Sequence, residues 1–193
     1  HFHSPEFIAV DRAVEAGKLA NVPVMVDFGG SKPRLSIEDL FLKHLRPGDI
    51  FTHTYGQLLE TKETIVDTAT QKLKPFVIEA RKRGLLFDVG HGGGSFTYSQ
   101  AIPAAKAGFY PNTISTDLHT GSMNAGMKDM LNVMSKFLAL GMDLKSVIKA
   151  STWSAAQAIK REELGHLSPG AVADVTILNI REGKFGFYDV AQY

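Results

Sequence analysis

Four short stretches of the chain are nearly continuous in apolar residues: 22–28, 49–54, 85–90 and 112–118, each rich in Val, Ile, Leu or Phe. Apolar runs of this length, bounded by turn residues, predict strands buried on both faces. Between them the apolar positions recur at helical spacing. Ser36-Ile37-Glu38-Asp39 is a capping signal that opens a helix toward Leu45. Residues 74–83 and 98–107 predict two more helices, stopping at Gly84 and Gly108 as helix C-termini commonly do. Strands alternating with helices of this length call for a parallel sheet.

After the fourth strand the texture changes. Residues 127–140 and 144–159 predict two helices, the first strongly amphipathic. A turn at Ser168-Pro169-Gly170 then leads into residues 174–180, which alternate like a strand, and residues 184–190 are a candidate for a last one. Two architectures accommodate four βα units. They are half of a (β/α)₈ barrel, whose full length is about 250 residues, or the core of an open doubly wound sheet.

Composition narrows the chemistry rather than the fold. The chain has 193 residues, 44% hydrophobic and 21% charged, with a net charge of +1. The basic residues are scattered apart from Arg81-Lys82-Arg83, which reads as the polar end of a helix, so no nucleic-acid partner is expected. No apolar run reaches the roughly 18 residues of a membrane span, and no membrane partner is expected either. A cytoplasmic location is the expectation. The opening His1-Phe2-His3, without Met, points to further chain upstream, where a signal peptide would lie. There is no cysteine, so any metal must be held by His, Asp, Glu or a modified Lys.

The ionisable residues gather at the C-terminal ends of the four predicted strands. Asp27 closes the first, His53 the second, His91 follows the third, and Asp117 with His119 closes the fourth. In both parallel architectures that edge is where active sites are built. Taken singly each has an ordinary explanation: a hydrogen-bonded structural His53, or an Asx turn at Asp27 ahead of Gly29-Gly30. The recurrence on four successive strands is what points to a site. His91 precedes Gly92-Gly93-Gly94, a run that lets backbone approach a ligand. His44 and His166 fall on a helix and in a turn and are read as structural.

Three runs make the sequence recognisable: Phe87-Asp-Val-Gly-His-Gly-Gly-Gly-Ser95, Ile114-Ser-Thr-Asp-Leu-His119, and Gly165-His-Leu-Ser-Pro-Gly170 followed by Ala173-Asp174. Together they resemble the amidohydrolase superfamily, in its dihydroorotase-like, amidohydrolase/deacetylase branch. The resemblance implies an α/β fold, the C-terminal half of a (β/α)₈ TIM-type barrel. Residues 1–160 would form that half, and the tail strands in 161–193 would join a small β-sandwich domain. The four strands would be the fifth to eighth. The missing N-terminal half, carrying a His-x-His pair and a bridging Lys, would pack against them. His1-Phe2-His3 has the spacing of that pair, but its surroundings place it after the fourth strand, where it could at most line the pocket.

The same resemblance implies one or two divalent metal ions, zinc first, held by His53, Asp117 and Asp27. Asp27 stands where much of the family has His, which leaves one metal or two open. Asp117 would be the catalytic acid–base group, and His91, Gly93 and His119 would contact a small-molecule substrate. The implied reaction is hydrolysis of a cyclic amide, an N-acyl group or a related ester by metal-activated water. A deaminase of the same superfamily and a catalytically silent scaffold remain as alternatives. A homo-oligomer is left open.

Overall fold

The chain folds as an α/β structure on a parallel sheet, and its computed structural model describes residues 6–28, 31, 34–57 and 61–191. His1, His3, Gly29 and Gly30 lie outside the described residues. The order is α1 (Ile8–Leu19), β1 (Met25–Asp27), α2 (Ile37–Asp39, continued by a wider π turn over Leu40–His44), β2 (Ile50–Thr52), α3 (Pro75–Lys82), β3 (Leu86–Phe87), α4 (Tyr98–Lys106), α5 (Met130–Ala139), α6 (Leu144–Ser151) and α7 (Trp153–Ala158). The sheet runs β1-β2-β3, all parallel. Among the described residues no helix is long and apolar enough to cross a membrane.

The strands are shorter than their apolar runs. Before β1, the Val22 amide donates to Gly17 O in α1 and the Val24 amide to the Asp49 carboxylate, so neither amide joins a ladder. The fourth predicted strand, 112–118, forms one parallel bridge, Asp88 to Thr113, and no ladder. It nonetheless lies beside β3. Val89 N donates to Thr113 O at 3.1 Å, His91 N to Ser115 O at 3.3 Å and Gly92 N to Thr116 O at 2.9 Å.

Local signals account for most helix ends. Ser36 Oγ accepts from Asp39 N at the start of α2. Gly84 and Gly108, at φ +96° and +72°, sit just beyond α3 and α4. The helix expected over 127–140 starts later, at Met130, because the Asp129 carboxylate caps Asn132 N at 2.8 Å. The helix expected over 144–159 is two. It breaks at Thr152, against whose backbone Gly165 packs so closely that a Cβ there would stand 2.8 Å from the carbonyl.

The strands predicted at 174–180 and 184–190 are not formed among the described residues. Residues 174–180 form no ladder and no helix, and Ile177 is 93% exposed. An alternating segment becomes a strand only when a neighbouring edge takes its hydrogen bonds. The end of the tail docks differently, through single contacts: Val190 N donates to Phe96 O, and the Asp189 carboxylate accepts from Tyr98 N at 2.8 Å.

The core lies between the sheet and α2–α4 and is dominated by aromatic rings. Phe41 meets Phe51 at 4.7 Å and Phe87 at 5.4 Å, both edge to face, and Phe87 meets Phe109 at 5.1 Å. On the opposite face Met25, Ile50 and Leu86 lie in register and are apolar, as expected, and polar side chains gather only toward its C-terminal end. Asp88, buried after β3, accepts hydroxyl hydrogens from Thr52, Thr113 and Ser115, each at 2.6 Å. Those bonds join three adjacent strand positions just below the C-terminal edge.

At the opposite end of the sheet Asp49 locks the entry to β2. Its carboxylate, 1% exposed, accepts from Val24 N, from Arg46 N and from two guanidinium nitrogens of Arg46. Burial alone would raise its pKa, but Arg46 and the two backbone donors outweigh that and hold it below the usual value. Asp49→Ala is expected to cost about 2–3 kcal/mol in urea melts at pH 7. A depressed folded pKa stabilises above the unfolded value of ~3.9 and loses that contribution as pH falls through the folded one. The gap between wild type and variant therefore narrows below about pH 4.

Candidate active site

Each candidate side chain reaches the C-terminal edge by a different local device. Asp27 is the last residue of β1. His53 and Asp117 take positive φ, +59° and +49°. A left-handed backbone at non-glycine residues costs on the order of 1–2 kcal/mol. Here it turns the chain just past β2 and just past the segment lying beside β3, and brings both side chains to the C-terminal edge of the sheet. Lys62 helps hold the first turn: its buried ammonium donates to His53 O at 2.9 Å. Ser122 brackets the second, accepting from His119 N at 2.9 Å and donating to Asp117 O at 3.0 Å.

The result is a convergence on one imidazole edge. His53 Nε2 stands 3.4 Å from Asp27 Oδ2 and 3.7 Å from Asp117 Oδ2. The imidazole is nearly buried, at 9% side-chain exposure, whereas the Asp117 side chain is 44% exposed and open to an incoming molecule. Burial raises the pKa of Asp27, but the hydrogen bond and charge of His53, with the charge of Lys62, more than reverse this and hold it ionised. Burial pulls Lys62 down to about 8, against the attraction of Asp27.

These approaches are pairwise. Among the described residues no three His, Cys, Asp or Glu side chains form a metal-holding group. The donor types nevertheless suit a divalent ion: one imidazole nitrogen flanked by carboxylate oxygens. His53 Nδ1 is buried and has no hydrogen-bond partner among the described residues, so the ring's polar contacts there are on the side facing the two carboxylates.

The remaining candidates separate. His119 is exposed, and its Nδ1 accepts from Gly121 N at 3.1 Å, which leaves the proton on Nε2. His91 is fully buried and takes a structural place instead of offering a ring nitrogen to the site. Its ring stacks on Phe96 at 4.7 Å, Nδ1 contacts Gly92 O at 2.9 Å, and Nε2 contacts Lys136 Nζ at 2.7 Å. Burial pushes its pKa down to about 4, so it is neutral at pH 7. A Cβ added at Gly93 would meet Ser122 only at ordinary contact distance. The tight glycine is Gly92, where a Cβ would fall 2.5 Å from Asp117 Oδ2 at φ +50°. His44 pairs with Asp11, and His166 lies edge-on to Trp153.

Sequence reading missed Lys62, Asp88, Ser122 and Lys136. Lysines and short polar residues between apolar runs read as surface, and only Asp88, inside a quoted motif, carried any signal.

A parallel α/β sheet with polar side chains converging past its C-terminal edge is the form of many hydrolase sites. Comparison with known proteins gives the family. Residues 97–188 match the Amidohydrolase family. A deacetylase of Brucella anthropi is 35% identical over 167 residues, covering 84% of this chain and 39% of that protein. The crystal structure of an adenine deaminase superposes with a TM-score of 0.88 at 27% identity, covering 97% of this chain and 50% of the other. A dihydroorotase superposes at 0.79 with 28% identity, covering 96% and 49%. The chain belongs to the amidohydrolase superfamily. It spans less than half the length of the deacetylase.

Proposed function

We propose that this chain is the second half of a metal-dependent hydrolase that cleaves the carbon–nitrogen bond of an N-acyl or cyclic-amide substrate, or the acyl carbon–oxygen bond of a related ester, with water as the nucleophile. The observation that carries the reading is the placement of His53 Nε2 within 3.4 and 3.7 Å of the Asp27 and Asp117 carboxylates at the open edge of the sheet. Those three residues would hold the ion, and zinc matches the donors best. The likeness to a deacetylase and a dihydroorotase supports an acyl or cyclic-amide substrate. A bound divalent ion supplies the Lewis acidity that makes water a usable nucleophile near neutral pH.

The chain's own residues do the rest. Asp117 takes the proton from the attacking water as its oxygen bonds to the carbonyl carbon. It then delivers that proton to the leaving nitrogen as the C–N bond breaks. Half exposed and next to His53, Asp117 is placed to meet both water and substrate. Asp27, held ionised by His53, balances charge at the centre. The Nε2–H of His119 is a donor for the substrate or for the developing oxyanion. The first-strand His-x-His pair and the bridging Lys would come from the upstream half. The tail from residue 161 would complete a small β domain with it, which the exposed Val175 and Ile177 support.

The test uses full-length protein. Metal content is measured, and the protein is assayed against N-acyl amino acids, cyclic amides and esters before and after chelation. Chelation is expected to abolish turnover and zinc to restore it. Metal-free protein with full activity, or metal-loaded protein silent on every substrate, overturns the reading. The high TM-score to an adenine deaminase favours a second reading, deamination of an amidine carbon. Ammonia release from adenine-like substrates, without acyl hydrolysis, would establish it instead.

A further inference from the structure

Lys136 is the one fully buried lysine of α5, at 0% exposure, and nothing in the chemistry above uses it. Its ammonium has three hydrogens and three acceptors: His91 Nε2 at 2.7 Å, Gly126 O at 2.6 Å and Tyr188 O at 2.6 Å. Burying an ammonium is costly unless it is saturated in this way. Each acceptor belongs to a different segment. Gly126 has no room for a side chain, because a Cβ would stand 2.6 Å from the carbonyls of Tyr188 and Asp189. The tail is thereby pressed onto the chain ahead of α5, and Asp189 also caps the start of α4 through Tyr98 N.

From Lys136 the contacts continue toward the site. Since Lys136 donates to His91 Nε2, the ring proton sits on Nδ1, which donates to Gly92 O. Gly92 N donates to Thr116 O, one residue before Asp117, and the Gly92 α-carbon lies against the Asp117 carboxylate. A continuous path of contacts joins the tail to the candidate catalytic carboxylate.

We propose that Lys136 is a positioning residue: through the neutral ring of His91 it ties the tail segment at Tyr188–Asp189 to the glycine run and so fixes where Asp117 sits. The importance of that placement for catalysis rests on the function proposed above, but the strut itself does not.

The experiment is hydrogen exchange on the full-length protein, comparing wild type, Lys136→Met and His91→Gln. Lys136→Met is expected to speed exchange about tenfold in residues 89–96 and 115–122 and in its own contacts at 124–136 and 188–190, sparing β1 and α3. His91→Gln keeps an acceptor for Lys136 but has no donor at the Nδ1 position. It is expected to loosen 89–96 and 115–122 alone, which keeps the proposal testable should Lys136→Met fail to fold. Faster exchange confined to 124–136 and 188–190, or no change in the His91 variant, overturns the strut. Zinc alone is the second probe, expected to bind each variant about tenfold more weakly through a displaced Asp117. Unchanged zinc affinity beside a loosened loop overturns the link to Asp117. Wild-type protein that binds no zinc counts against the proposed function, and the exchange pattern still decides the strut.

Discussion

Asp117→Asn is expected to leave the full-length protein folded and to lower its turnover by about a hundred- to ten-thousandfold. Folding survives for two reasons. Asparagine is among the residues that best tolerate the left-handed backbone found here, φ +49°. The side chain is also 44% exposed, so the new amide is not stranded without partners. Turnover falls because an amide cannot carry the proton between water and leaving group, and because it is a poorer metal ligand than a carboxylate. The measurements are a thermal melt, metal content and steady-state rates on the same preparation. A variant that folds, keeps its metal and turns over near the wild-type rate removes Asp117 from the chemistry.

Gly90→Ala carries the second large effect, and in the opposite pattern. Gly90 sits at φ +45°, and a Cβ there would overlap Thr52 Oγ1 and His53 Nδ1. The first of these donates to buried Asp88, and the second is on the proposed metal ligand. Relief requires moving both the Thr52–Asp88–Ser115 set and the imidazole, or shifting the Gly90 backbone away from them. A loss of about 3 kcal/mol or more is expected from strain and overpacking together, with turnover falling further than stability. Gly94→Ala is the control. Gly94 is exposed, and among the described residues nothing lies within 4 Å of an added Cβ, so the variant is expected to melt and turn over as wild type. Equal tolerance at both glycines would show that the close packing at Gly90 is not required.

The comparison of those glycines shows where sequence reading stops. Gly92, Gly93 and Gly94 are equivalent as letters, and a run of three reads as room for a ligand. In the structure each has its own place: Gly92 against Asp117, Gly93 toward Ser122, Gly94 in solvent. His91 and His119 likewise looked alike, each next to a strand end and near glycine. One is buried under Lys136 and Phe96, and the other lies on the surface. Which of two histidines meets a ligand depends on residues far away in the chain, 45 positions in the case of His91 and Lys136.

What the sequence determined by itself was the periodic part. Apolar runs broken by Gly, Asp and Ser gave parallel βα units, because strand and helix are set by local repeat and local capping. It also placed Asp27, His53 and Asp117 at strand ends, since a polar residue closing an apolar run can only lie at the edge of the sheet. Only the tertiary structure decided that these three approach one another, because the positive φ at His53 and Asp117 is maintained by Lys62 and Ser122 from outside the strands. It alone turned Asp88 and Lys136 into buried polar nodes, and it alone broke the helix at Thr152. Asp88 and Lys136 depend on partners as far as 36 and 52 positions away, whereas Lys62 and Ser122 act from loops nine and five residues off; single hydrogen bonds of either kind leave no periodicity to read.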